Sequence, residues 1–340
     1  MKNFYFFDFL KNFFKWHNIP LMIYLLINLV FIYIGTVAVT YCAAMVYYDG
    51  DTAAMPVDVS SNRFYLITAF VIALVYFTVL SITLSPIGEW ILRKRFRCKK
   101  IKDPIMRRRI RPLFHEVYAA ARRKSPEISG SVKIFVQYSR NPNAFAVGRR
   151  SVCVTTGLLN RPDEEIKGIL GHEFGHLAHK DTDLNLVVNI ADSMTNLVFL
   201  GVWIVVFAVR ILLKIISLVT SVLSYGASAF VTEMIDIMTD LAVFCTVYIF
   251  KKLWIITGNL LFMARNRKAE YDADRFSFEL GYDGGIISFL YALPDSVKGK
   301  RNPVRRLIKA IATVGATHPQ TWKRIEVLEK LRAKASEEMI

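Results

Sequence analysis

Two long uncharged runs constrain the fold of this chain more than any other feature. Residues 18–48 and 64–88 contain no Asp, Glu, Lys or Arg. Each is long enough to cross a bilayer as a helix, which takes about 20 residues. The composition agrees, because 54% of the residues are hydrophobic and the mean hydropathy is +0.34. We expect a mainly α-helical integral membrane protein in which residues 17–91 form a transmembrane hairpin.

A second apolar region follows later in the chain, across residues 184–264. In the simplest interpretation, runs 184–209 and 241–264 each cross the membrane, which gives about four transmembrane helices in total. Residues 215–232 are then a re-entrant or interfacial segment. Charges inside a membrane usually pair or line a wet cavity. We therefore hypothesise a contact between Asp192 and Lys252; the alternative is that both helices project above the bilayer into water.

The basic residues lie beside these apolar runs, which explains the formal net charge of +16. No nucleic-acid-binding motif accompanies them, so we expect lipid rather than nucleic acid as the partner of this charge. The loop at 49–62 carries three Asp and no Lys or Arg, whereas six of the eight residues at 93–100 are basic. The positive-inside rule then predicts that the loop faces outward and that the chain from residue 92 onward is cytoplasmic.

The first 16 residues combine many Phe with three Lys, as in an amphipathic helix lying in the membrane interface. A signal peptide is the alternative, but the uncharged run that follows is too long for one. The cysteines are scattered singly, which argues against both a disulfide framework and a thiolate metal site.

Residues 92–183 form the first soluble stretch. Residues 105–123 predict a strongly basic helix, expected to be solvated or lipid-facing. Two strands are predicted at 131–139 and 151–156, the second entered through a turn at Arg149 and Arg150. We expect a small, hairpin-rich sheet ahead of the next helix.

The run His172-Glu173-Phe174-Gly175-His176 has the spacing H-E-x-x-H. On a helix, residues four apart share a face, so both imidazoles can bind one cation, and Glu173 can take a proton from water on that cation. Pro162 followed by three acids predicts the start of such a helix. A chance match is the alternative, expected roughly once in a hundred chains of this kind.

Glu270 and Asp274 are also four residues apart, directly after the last apolar run. A carboxylate is a normal third zinc ligand beside two histidines. A second carboxylate one turn later is well placed to hold the other nitrogen of a ligand histidine. Without the H-E-x-x-H motif, these would be two surface acids in a charged run.

Taken together, these stretches resemble the HtpX-like branch of the membrane zinc metallopeptidases, which also include the CAAX prenyl endopeptidases. The resemblance covers the soluble parts from about residue 130 onward. It rests on Asn143-Ala144-Phe145-Ala146 with Thr155-Thr156-Gly157-Leu158-Leu159, on His172 to His176, on Glu270-Tyr271-Asp272-Ala273-Asp274, and on Thr317-His318-Pro319 followed by Arg324-Ile325.

The resemblance implies a cytoplasmic α+β catalytic domain of the gluzincin type, formed by residues 92–183 and 265–340, with one Zn²⁺ per chain. It implies zinc on His172, His176 and Glu270. Glu173 would be the general base and proton shuttle, and Asp274 would orient a zinc-bound imidazole. His318 would help to stabilise the oxyanion, and an edge strand would pair with an extended substrate; its residues are Asn143, Ala144, Phe145 and Ala146.

The expected activity is peptide-bond hydrolysis by zinc-activated water, in quality control of misfolded or damaged membrane proteins and most simply at a bacterial inner membrane. One alternative is a restricted processing protease like the prenyl endopeptidases. Another is a membrane scaffold that binds zinc without turnover, which the presence of Glu173 disfavours. His179 lies on the same helical face as His172, and we interpret it as a residue beside the site or at its entrance rather than a ligand.

Overall fold

A computed structural model describes residues 13–48, 61–223, 229–293 and 321–338 of the chain. The interfacial helix expected at the N-terminus and the outward loop therefore lie almost entirely outside the described residues. The chain divides into two compact units. One consists of residues 1–22, 80–187 and 261–340, and the other of residues 23–79 and 188–260.

The described elements are mostly helices, with a short 3-10 helix at Trp16–Asn18, another at Leu158–Asn160 and a π-helical turn at Phe244–Ile249. The α-helices are α1 (Ile19–Tyr47), α2 (Asn62–Thr83), α3 (Pro86–Arg95), α4 (Pro104–Lys124), α5 (Asp163–His179), α6 (Asp181–Leu223), α7 (Ala229–Val243), α8 (Phe250–Glu279), α9 (Asp283–Tyr291) and α10 (Thr321–Glu337). The strands are β1 (Lys133–Gln137), β2 (Ala144–Val147) and β3 (Ser151–Thr155).

Three helical segments are long and apolar enough to cross a membrane, judged by length and composition among the described residues: Leu21–Met45, Asn62–Thr83 and Asp181–Thr220. The first three predicted spans correspond to these segments. The fourth, at 241–264, is not among them and stays a prediction. Residues 215–223 continue α6 without a break, and the expectation that residues 215–232 are re-entrant or interfacial stays a prediction. The apolar sequence propagates the helix because nothing at 210–214 breaks it.

Asp192 in α6 has a different partner from the one predicted. Its carboxylate accepts a hydrogen bond from the hydroxyl of Tyr24 in α1. The Tyr24 hydroxyl in turn accepts from the side-chain N–H of Asn28 at 3.2 Å, and the Thr195 hydroxyl donates to Oδ1 of Asn28 at 2.7 Å. The Lys252 ammonium lies over the Tyr248 ring, 5.5 Å from its centroid. The hypothesis of an Asp192–Lys252 contact is therefore wrong, because a neighbouring helix offers the carboxylate a hydroxyl.

The unit that contains the H-E-x-x-H motif carries a three-stranded sheet of order β1-β3-β2. β2 and β3 form an antiparallel hairpin through residues 148–150, as predicted. β1 instead pairs with β3 in parallel, so only half of the sheet is a hairpin. The chain between β1 and β2 passes over the end of the sheet, and among the described residues one edge of β2 has no partner strand.

The core of this unit is built from α4, α5, α9, α10 and the sheet. α4 was expected to be a solvated or lipid-facing surface, and that is true of only one face. Its other face buries Ile110, Phe114 and Val117 in the core. The Phe114 ring lies 5.6 Å from that of Phe174 in α5. This apolar contact holds the helix that carries both histidines.

We expect Tyr24 and Asp192 to stabilise the protein together. In a double-mutant cycle of Tyr24→Phe and Asp192→Ala, the coupling should be about 0.6–1.7 kcal/mol, the range found for hydrogen bonds between membrane helices. The control cycle of Lys252→Ala and Asp192→Ala should be additive. The free energy of unfolding in mixed micelles measures both, and additivity in the first cycle would refute the contact.

Candidate metal centre

Three side chains of the ligand type meet at one point in this unit. Nε2 of His172 lies 3.5 Å from Oε2 of Glu270, and Nε2 of His176 lies 3.7 Å from Oε1 of the same carboxylate. One ligand atom from each of the three residues falls within 4.8 Å of the other two. Ligand atoms around a tetrahedral zinc ion are about 3.3 Å apart. The donor set and its spacing therefore fit a zinc ion with one open coordination position.

Helix α5 presents the two histidines. It begins with three acids in its first turn. Their negative charges stabilise a helix N-terminus because they interact favourably with the positive end of the helix dipole. It ends at His179, and the next residue, Lys180, adopts a left-handed conformation with φ 59°. Between these ends the imidazoles of His172 and His176 lie one turn apart with ring centroids 4.7 Å from each other, as the H-E-x-x-H spacing predicts.

Glycines on α5 allow α8 to come close enough to add the third ligand. A Cβ on Gly171 would lie 2.7 Å from Oγ of Ser277, and one on Gly175 would lie 2.8 Å from Cα of Ala273. The Ser277 hydroxyl also donates to the carbonyl of Gly168 at 2.8 Å. At these two positions there is room on α5 for a hydrogen atom but not for a side chain. The pairing of the helices brings Glu270 against both imidazoles.

Each imidazole is oriented by a carboxylate at its other nitrogen. Nδ1 of His172 lies 2.8 Å from Oδ1 of Asp274, and Nδ1 of His176 lies 3.2 Å from Oδ2 of Asp181. A carboxylate at Nδ1 favours the tautomer that carries its proton there. Nε2 of each ring is then left as an electron-pair donor toward Glu270, which is the state a metal ligand requires.

Arg324, in α10, is the cation of this buried cluster. Its guanidinium donates to both oxygens of Asp274, at 2.6 and 2.7 Å, and lies 3.2 Å from Oε2 of Glu270. Burial opposes its charge, but these carboxylates raise the pKa of Arg324. Burial also disfavours the charged form of Asp274 and by itself would raise its pKa, yet Arg324 and His172 hold the pKa of Asp274 below its ordinary value. Both groups are therefore charged at neutral pH.

Glu173 is buried beside the two histidines. Its Oε2 accepts a hydrogen bond from the backbone N–H of Ala146 at 2.8 Å. Removal from water raises the pKa of Glu173, although both imidazoles and the Ala146 N–H oppose the shift. A carboxylate with a raised pKa takes up a proton more readily near neutral pH, which suits a general base.

Two threonines fix the entry of β2. Oγ1 of Thr155 accepts from the N–H of Asn143 and donates to the carbonyl of Asn141, both at 2.8 Å. Oγ1 of Thr156 donates to the carbonyl of Ser139 at 2.8 Å. The segment before β2 is thereby held against the end of β3. Thr155 and Thr156 belong to one of the stretches on which the family resemblance rests. Their hydroxyl groups are useful there because they hold the segment before β2 in place.

The structure brings together most of the predicted site. His172, Glu173, His176, Glu270 and Asp274 form the cluster, and β2 lies against it through Ala146. His179 is exposed on α5 and is not part of the group that can hold a metal. The prediction for His318 falls outside the described residues.

Sequence reasoning missed the roles of Arg324 and Asp181. Arg324 stands next to Ile325 and four residues before Leu328, both buried. A charged residue on the apolar face of an amphipathic helix is the signal that could have found it, since such a charge needs a buried partner. Asp181 follows α5 closely enough to reach back to His176, but that requires the turn at Lys180, which periodicity does not indicate.

Comparisons with known proteins agree with this arrangement. The sequence profile of peptidase family M48 matches residues 104–332. "Protease HtpX" of Legionella pneumophila is 37% identical over 101 residues, which are 28% of this chain and 35% of that protein. "Protease HtpX homolog" of Bacillus licheniformis is 30% identical over 223 residues, 62% of this chain and 65% of that protein. Each of these matches spans less than two thirds of the relative.

A solved structure also matches. The crystal structure of S. mikatae Ste24p aligns with a TM-score of 0.40 and 17% sequence identity. The alignment covers 76% of this chain and 58% of that one.

Zinc binding should depend on Glu270 and not on His179. We expect Glu270→Ala to lose stoichiometric zinc, and Asp274→Asn to weaken zinc binding about 10–100-fold, because it no longer orients His172 as a carboxylate does. The control His179→Ala should bind zinc like the wild type. Metal content by mass spectrometry and competition with a chromophoric chelator measure this. Equal losses in Glu270→Ala and His179→Ala would contradict the ligand assignment.

Proposed function

The chain belongs to peptidase family M48, and we propose that it is an integral membrane zinc endopeptidase with one zinc ion on His172, His176 and Glu270. The observation that carries this proposal is the convergence of a carboxylate from α8 on two imidazoles from α5, with a buried Glu173 beside them. A structural zinc site closes with four protein ligands and needs no base. Three ligands with a neighbouring carboxylate are the pattern of a hydrolytic site.

Zinc at this site would act as a Lewis acid, polarising the peptide carbonyl and lowering the pKa of water to about 7. Glu173 accepts the proton of the attacking water and then gives it to the leaving amine. Its raised pKa supports both halves of this transfer, since the carboxyl group must gain and lose a proton in one cycle. No acyl-enzyme forms, because the nucleophile is water.

β2 is proposed to bind the substrate backbone. Asn143 accepts from the N–H of Thr155 in β3 at 2.9 Å, whereas the N–H of Ala146 points to Glu173. Backbone groups alternate in direction along a strand. Ala144 and Ala146 therefore turn their N–H and C=O groups away from β3, toward the metal centre. An extended peptide can add to this edge as a further strand, with affinity from backbone hydrogen bonds.

Phe145 supports the strand from its other side. Its ring lies 5.7 Å from that of Phe96, and it packs against the small cluster of Phe135, Val147 and Cys153. In this proposal Phe145 contributes to substrate binding through the backbone geometry of β2, because its side chain is used in packing.

Arg324 and Asp274 act as positioning residues. Arg324 holds the carboxylates of Asp274 and Glu270 in place and balances part of their charge, while Asp274 orients His172. His318, which lies outside the described residues, keeps the role that the family resemblance implies, stabilisation of the oxyanion.

The proposed substrates are misfolded or damaged membrane proteins. Recognition through the backbone groups of Ala144 and the carbonyl of Ala146 selects extended chains rather than particular side chains, and unfolded segments supply such chains. The relatives from Legionella and Bacillus are named as proteases, which agrees with this class. The charge asymmetry of the sequence supports a cytoplasmic site, with the protein in a bacterial inner membrane.

Glu173→Gln tests the peptidase proposal. The amide cannot accept the proton of water, so turnover of an unfolded protein substrate should fall at least about 100-fold, the lower range for loss of a general base. Zinc content should stay at the wild-type level, because Glu173 is not a ligand. Fragment release on gels and metal analysis of the same samples decide the matter. Equal cleavage by the wild type and by Glu173→Gln would refute the activity assigned to this site.

N-methylation of a peptide substrate tests the strand-pairing proposal. Only alternate N–H groups of an added strand face β2, so methylation should slow cleavage about tenfold at alternate residues. Methyl groups at the intervening residues should have little effect. The rate constants of a set of singly methylated peptides measure this. A uniform decrease, or none, would contradict pairing with β2.

A further inference from the structure

Helix α3 has two faces of different character. Ile87, Trp90 and Ile91 lie along one face and are 62%, 49% and 46% exposed. Gly88 and Glu89 lie on the other and are buried. Exposed apolar residues at positions i, i+3 and i+4 form a stripe along a helix. A stripe of this kind is costly in water and needs an apolar partner.

The position of α3 in the chain indicates what that partner is. Only Leu84 and Ser85 separate it from α2, which is long and apolar enough to cross a membrane. A Cβ on Gly88 would lie 2.1 Å from the carbonyl of Thr83, so the backbone turns sharply as the span ends. α3 therefore starts directly after a segment that is long and apolar enough to cross a membrane, and it carries an apolar stripe of its own.

The C-terminal end of α3 carries positive charge. Its last turn contains Arg93, Lys94 and Arg95, and the Lys94 ammonium lies 4.1 Å from the centroid of the Trp90 ring. Tryptophan is enriched at the level of lipid headgroups. Basic residues beside an apolar stripe fit a membrane surface that contains anionic lipid.

The buried face of α3 holds the turn between β2 and β3. Oε1 of Glu89 accepts from the backbone N–H groups of Arg149 and Arg150, at 2.6 and 2.9 Å. Arg93 donates to the hydroxyl of Ser151 at 2.9 Å. At Gly148, φ is +63° and a Cβ would lie 2.4 Å from Cγ of Glu89, so the turn follows the surface of the helix closely.

This turn is the end of the proposed substrate strand. β2 ends at Val147, one residue after Ala146, whose N–H donates to Glu173. One end of β2 is thus fixed by α3 and the other by Thr155. A shift of α3 would move the strand edge relative to Glu173, because only Gly148 separates Val147 from the residues that bind Glu89.

We propose that α3 is a lipid-bound positioning helix: Ile87, Trp90 and Ile91 enter an anionic membrane surface, while Glu89 on the opposite face holds the β2–β3 turn. The partner is the bilayer itself, with Lys94 and Arg95 at the phosphates of anionic lipids. Membrane contact thereby sets the position of the strand that receives substrate. Only the last measurement below rests on the proposed peptidase function.

Photocrosslinking tests the lipid contact. p-Benzoylphenylalanine replaces Ile87 in the full chain, in nanodiscs of phosphatidylglycerol and phosphatidylcholine. The matched control carries it in place of Val327, an exposed apolar residue of α10. We expect lipid adducts at position 87, enriched in phosphatidylglycerol, and far fewer at 327. Equal adduct yields at the two positions would overturn the proposal.

Hydrogen exchange tests the link to the turn without any need for activity. Glu89→Ala should speed exchange of the Arg149 and Arg150 amides about tenfold, since they lose a charged acceptor. Glu89→Gln, which keeps an acceptor, should restore part of the protection. The surface variant Ile87→Asn/Trp90→Ser leaves the buried face intact and should also speed this exchange in nanodiscs, whereas Val327→Asn should not. Unchanged exchange in the surface variant would refute the coupling.

Kinetics complete the test. The surface variant should raise KM for a polypeptide about tenfold, the effect of roughly one lost backbone hydrogen bond to the substrate, with kcat and zinc content close to wild type. A decrease in kcat with KM unchanged would contradict a positioning role. If neither protein cleaved any substrate, the peptidase proposal would fail, while crosslinking and exchange would still decide the role of α3.

Discussion

The close packing of α5 on α8 is the contact on which the rest of the site depends. Two imidazoles one turn apart supply only two ligands, so a third has to come from elsewhere in the chain. Gly171 and Gly175 leave room for the backbone of α8 at Ala273, and Glu270 then lies within 3.5–3.7 Å of both Nε2 atoms. Larger residues at these glycines would separate the helices and leave Glu270 out of reach.

This packing also concentrates negative charge, and the charge has to be balanced. Glu270, Asp274 and Glu173 are all buried within the same cluster. Arg324 supplies one positive charge, and a divalent metal ion would supply two more. Burying carboxylates without cations costs several kcal/mol each. The cluster therefore requires α10 as well as α5 and α8, so the site is assembled from segments far apart in the sequence.

Sequence reasoning succeeded where the information lies within one element and failed where it depends on which elements meet. The family resemblance implies the edge strand β2, and the spacing of His172 and His176 and the carboxylates of α8 follow from periodicity and motif. The parallel pairing of β1, the buried role of Arg324 and the Tyr24 partner of Asp192 do not. Hydrophobic periodicity states which face of a helix is buried, but a charge finds its partner only after packing is complete.

The connections between the site and the apolar helices follow from the chain itself. α6 begins at Asp181, which binds His176, and continues as an apolar span. α8 carries Glu270 at its C-terminal part, after an apolar stretch. Two groups of the metal centre are therefore built on helices that run on into apolar segments.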